Sequence, residues 1–90
     1  MSLIIKRIVL DVLKPHEPPI QEFARRLGEI PHVISVDIST QEIDENTQTI
    51  RITVEGNEIL YEEVDKKISE LGATIRSVDK VSAEKPKKKK

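Results

Sequence analysis

The segment Lys14-Pro15-His16-Glu17-Pro18-Pro19 puts an ammonium, an imidazole and a carboxylate within four positions. An imidazole beside a carboxylate can move protons. A second stretch, Glu42-Ile43-Asp44-Glu45-Asn46, is dense in oxygen donors of the kind hard divalent cations take from turns. A third set, Arg7, Asp11, Arg51, Arg76 and Asp79, is spread along runs of β-branched residues and could recognise a charged ligand or partner. Proton transfer needs more than His16 and Glu17. No candidate nucleophile, Gly-rich phosphate loop, Ser-His-Asp set or cysteine motif accompanies them, so no catalytic constellation is visible and the chain reads as a non-enzyme. The acidic stretch lacks the Asp-x-Asp-x-Asp-Gly spacing of an EF-hand. In a monomer it reads as a solvated hairpin turn. With ligands shared between subunits, Glu17, Glu42, Asp44 and Glu45 would hold a divalent cation such as calcium.

Composition narrows the classes further. Ninety residues make one domain near the lower size limit for folding unaided. With no cysteine, disulfides and thiolate metal sites are excluded. One Phe, one Tyr and no Trp leave almost no stacking surface for bases or sugars. The 34% of charged residues, with a single Met, is compatible with a thermophile. Five of the fifteen basic residues lie in the terminal Lys-Pro-Lys-Lys-Lys-Lys. Residues 1–84 carry ten Lys and Arg against sixteen Asp and Glu, a net charge of −6. An acidic body repels phosphate backbones, which restricts any nucleic-acid binding to the tail. No spanning helix or signal peptide is evident, so a cytoplasmic protein is expected.

The elements that must position these groups are legible as periodicities. Ile4 to Lys14 alternates as a central strand, with Lys6, Ile8, Leu10 and Val12 on one face and Arg7, Val9, Asp11 and Leu13 on the other. Prolines 15, 18 and 19 end it and start a helix over Pro19–Glu29, marked by Ile20, Phe23, Ala24, Leu27 and Ile30. Val33–Ile43 alternates with Ile34, Val36 and Ile38 inward, and 49–56 with Ile50, Ile52 and Val54 inward. A turn at 44–47 makes the two a hairpin. Leu60, Val64, Ile68 and Leu71 predict a second helix stopped by Gly72. Residues 73–81 form the last strand, in which Ile75 and Val78 can share a face only across a bulge.

The order βαββαβ is that of an α+β ferredoxin-like sandwich, with antiparallel strand order 4-1-3-2 and both helices on one sheet face. It occupies residues 1–82, followed by a basic, disordered tail at 83–90. Topology then gathers Lys14, His16 and Glu17 at the same end as the acidic turn. Arg7, Asp11, Arg51 and Arg76 fall on the open sheet face, where Asp11 can pair with Arg51 or Arg76. The free edges of the second and fourth strands invite a partner. Different patches meeting head to tail would close a ring of identical subunits.

Several blocks resemble a known family. "RIVLDVLKPHEP", "EID" followed by Thr47, "VEG", and "GATIRSVDKV" are similar to the archaeal domain-of-unknown-function family two hundred eleven, over about Lys6 to Val81. The resemblance implies a ferredoxin-like fold and ring-forming homo-oligomers, with no established activity. It matches Asp11, Lys14, Pro15, His16 and Glu17 to the first block. Glu42, Asp44 and Thr47 match the second, Glu55 and Gly56 the third, Ser77 and Asp79 the last. Arg76 stands where that family commonly has His, which weakens a metal or proton-transfer role shared with Asp79. Leu60 stands where Asp often caps the second helix, a loss of about 1 kcal/mol. The function expected from all this is a self-assembling module that holds a small ligand or ion at or between subunits. Divalent-cation binding, and weak nucleic-acid binding through the tail, are the alternatives.

Overall fold

The computed structural model describes residues 2–86. In chain order the elements are β1 (Ile4–Pro15), α1 (Ile20–Leu27), β2 (Val33–Ile43), β3 (Thr47–Gly56), α2 (Tyr61–Glu70) and β4 (Thr74–Glu84). The strands form one antiparallel sheet ordered β2-β3-β1-β4, the expected order read from its other margin. No helix among the described residues is long and apolar enough to cross a membrane.

The core follows from the alternation. Ile8, Leu10 and Val12 of β1 and Ile50, Ile52 and Val54 of β3 are buried in one cluster with Phe23 and Leu27 of α1 and Val64 and Ile68 of α2. Burying such side chains contributes about 1.5–3 kcal/mol each relative to exposure. On the other face of β1 only Val9 is buried, while Asp11 and Leu13 are half-buried. The helices end as their residues dictate. After α2, Gly72 takes the left-handed conformation, φ 87°. The Ala73 N–H donates to Ile68 O at 3.1 Å and the Gly72 N–H to Ser69 O at 3.0 Å, the two bonds of a Schellman stop. Helix α1 closes at Leu27, two residues before the expected Glu29, because Gly28 and Pro31 hand the chain to turns rather than to further helix. His32 then adopts φ 74°, and its carbonyl accepts from the Asn57 N–H at 2.9 Å. A Cβ on Gly56 would lie 2.1 Å from that carbonyl, so only glycine fits where β3 passes beneath.

Several register shifts depart from plain alternation. The shift on β4 comes twice: Val9 pairs with Lys80 but Leu10 with Val78, and Asp11 pairs with Ser77 but Val12 with Ile75. Asp79 and Arg76 are the extra residues, and their bulges let Ile75, Val78 and Val81 all lie opposite core-facing residues of β1. A shift at Lys6 breaks its expected alignment with Ile8, and Ile5 packs against the core instead. A shift at Ile34 corrects the inward assignment of that residue, which is 68% exposed. The bulge expected from the parity of Ile75 and Val78 is present, but no break in alternation marks the shifts at Lys6 and Ile34. Strand β4 runs to Glu84, two residues into the expected tail. Residues 87–90 of that tail lie outside the described residues.

Candidate functional site

The end of β1 is built around Lys14, the residue expected beside His16 and Glu17 at this end of the sheet. Lys14 continues the core-facing series of Ile8, Leu10 and Val12, so its stem is buried and the residue is 1% exposed. Its ammonium lies 5.3 Å from the centre of the Phe23 ring. The Nζ donates to the carbonyls of Pro15 at 2.7 Å and His16 at 3.2 Å, and to Gln48 Oε1 at 3.4 Å. Gln48 Nε2 lies 3.2 Å from His16 Nδ1, and His16 Nε2 lies 2.8 Å from Glu45 O. These contacts form one consistent series when the imidazole carries its proton on Nε2: Lys14 donates to Gln48, Gln48 to His16, and His16 to the hairpin carbonyl. Burial pushes the Lys14 ammonium below its ordinary pKa, and the charge of Glu17 partly offsets this. Phe23 and Gln48 were not among the expected site residues. The even spacing from Leu10 through Lys14, and the pairing of Lys14 with Gln48 across β1 and β3, are the signals that point to them.

The lysine, His16 and Glu17 therefore do share the end of the sheet with the acidic turn, but as a latch. Both imidazole nitrogens have partners, and the ammonium is met by neutral oxygens. Among the described residues no three His, Cys, Asp or Glu side chains converge to hold a metal ion. Glu17, Glu42, Asp44 and Glu45 are all exposed on the sheet end or the turn.

The sheet face that carries Val9 and Asp11 holds the second set. Asp11 lies opposite Arg51 on β3 and Ser77 on β4. Its carboxylate is 3.8 Å from Arg76 Nε, while Arg51 spans to Asp79 on β4 at 3.5 Å. Ser77 Oγ donates to Asp79 Oδ1 at 2.7 Å. Of the two partners foreseen for Asp11, the structure selects Arg76. The β4 bulges carry both Arg76 and Asp79, so an irregularity in the strand supplies the cation and anion that complete this network. The side chains of Arg51 and Arg76 are each about half exposed. Nearer the other end of the sheet, Arg7 pairs with Glu55 at 3.2 Å, beside a groove of about 400 Å³ that Lys6, Ile34 and Glu84 also line.

The sheet margins are the third set. Ile34 and Ile43 on β2 and Val78 and Val81 on β4 are exposed large hydrophobics on the two outermost strands. Isolated exposed apolar residues are ordinary on a surface, but pairs of them along an unpaired strand edge mark a place where another strand can add.

Comparison with known proteins covers nearly the whole of the described chain. The model of the family DUF211, described as uncharacterized ArCR, matches residues 6–86. The chain is 44% identical over 79 residues to "Uncharacterized protein MJ0319" of Methanocaldococcus jannaschii, an alignment spanning 88% of this chain and 81% of that protein.

Proposed function

We propose that this chain, which belongs to the DUF211 family, is a self-assembling binding module that holds a small ligand or ion at or between its subunits. The observation that carries the reading is the state of the sheet margins. Both outermost strands are ten residues or longer, each has a neighbour on one side only, and each exposes two large hydrophobics. A small domain also gains stability by burying such margins against copies of itself. The reading takes α1 and α2 to cover one sheet face, supported by the single core cluster that both helices share with β1 and β3. The other face is then left to a partner. There Arg51 and Arg76, whose side chains are about half exposed and each of which pairs with one carboxylate among the described residues, are the groups to which a small anionic ligand could add. The working place of such a module is the cytoplasm of a thermophilic archaeon, to which the high charge content is suited. Sedimentation velocity at micromolar concentration tests the reading. A species of several protomers is expected, and a monomer at all concentrations would refute it.

A further inference from the structure

We infer that the assembling contact is β4 of one copy laid antiparallel against β2 of the next, at the same level in the sheet. This rests on the self-assembly reading above and specifies its surface. Strand direction permits it. Strand β1 runs opposite to both β3 and β4, and β3 runs opposite to β2, so β2 and β4 are antiparallel to each other. A neighbouring copy in the same orientation therefore continues the antiparallel sheet.

Register then decides which side chains meet. Following the pairing across the sheet, Asp37 is level with Thr53, Val9 and Lys80. Val36 is level with Val54, Ile8 and Val81, and Ile38 with Ile52, Leu10 and Val78. A level neighbour would therefore place Lys80 opposite Asp37 on the open face. On the core-facing side it would place Val81 opposite Val36 and Val78 opposite Ile38. Val78 and Val81 are 45% and 51% exposed in the single chain, and Val36 and Ile38 are only half-buried. Lys80 and Asp37 are both exposed, and neither takes part in an ion pair among the described residues. Like strands suit each other less well. β2 carries Asp37 and Glu42 with no basic residue, so two β2 edges would repel. Pairing β4 with β4 would leave Ile34 and Ile43 on β2 uncovered.

Charge reversal at the one ionic pair tests this without touching the core. At low ionic strength, Lys80→Glu sets a carboxylate against Asp37, and Asp37→Lys sets an ammonium against Lys80. Each variant alone is expected to weaken self-association by about fivefold or more, with an unchanged circular-dichroism spectrum. An equimolar mixture of K80E and D37K restores complementary charges at every alternating contact, and wild-type assembly returns. Recovery of assembly in the mixture, read by sedimentation velocity, supports the contact. Wild-type protein that assembles while both single variants assemble equally well, or a mixture that stays dissociated, overturns this contact but leaves self-assembly standing. A monomeric wild type overturns both.

Discussion

The latch at the end of β1 and the outer strands of the same sheet use similar residues to opposite ends. At the latch, Lys14, Gln48 and His16 pass hydrogen bonds from one to the next until the hairpin carbonyl of Glu45 is reached. Among the described residues no buried side-chain polar atom lacks a partner. Along β2 and β4, by contrast, Ile34, Ile43, Val78, Val81, Asp37 and Lys80 are exposed, and each strand pairs on one side only among the described residues. A polar cluster resembling an active site thus turns out to be closed on itself. The exposed apolar side chains lie instead along the outer strands, whose free edges the strand order already exposes.

The largest expected effect breaks the closed region. Lys14→Met keeps the stem against Phe23 but strips two carbonyls and Gln48 of their donor, which costs about 1–3 kcal/mol in a denaturant titration. The pH dependence has a definite sign. Burial places the folded-state pKa of Lys14 below its ordinary 10.5, so between those values the unfolded chain binds the proton more readily. The penalty of burying the charge is full at lower pH and fades as pH rises through the depressed value. Wild-type stability should therefore rise, relative to K14M, as pH climbs toward 10.5. Equal pH profiles for the two proteins would show that the ammonium is not held in the interior. Combining Lys14→Met with Gln48→Leu should cost less than the sum of the two, because both remove the same link. Strict additivity would dissolve the latch into independent contacts.

An intermediate effect concerns the margin at α2. Leu60 stands at its N-cap with no side-chain hydrogen bond and is exposed, so Leu60→Asp should stabilise the fold by about 1 kcal/mol in thermal unfolding. No gain would mean that Leu60 is covered in the assembled protein. The smallest effect belongs to the sheet face that carries Asp11. The pair of Asp11 with Arg76 is loose and partly exposed, and Asp11→Asn should change the stability of the dissociated chain by no more than about 1 kcal/mol. A larger loss would move this pair from the recruiting region into the structural one.

The residues announce much of this architecture. Alternation in β1 and β3 and four-residue spacing in α2 locate the core, because burial on one face is what those periods encode. The family resemblance, carried by the blocks from Lys6 to Val81, is upheld by the match over residues 6–86. What a single strand cannot encode is its register against a neighbour. Ile34 alternates as an inward residue and yet lies outside. Only the clash of Ile75 and Val78 in one strand gave a bulge away, and it did not reveal that Arg76 and Asp79 would be the displaced residues. Lys14 shows a different limit. Its charge argued for the surface, whereas its parity with Val12 argued for the interior, and parity won because three oxygens lay within reach of the ammonium.

Amide hydrogen exchange of the intact protein, followed over a hundredfold range of concentration, tests most directly whether the strand margins are where copies meet. Pairing of β2 with β4 predicts that outward-facing amides within residues 35–40 and 77–82 slow as concentration rises, while amides shared by β1 and β3 stay constant. Exchange in β2 and β4 that is fast and independent of concentration in a sample that sediments as an oligomer would place the contact elsewhere on the molecule.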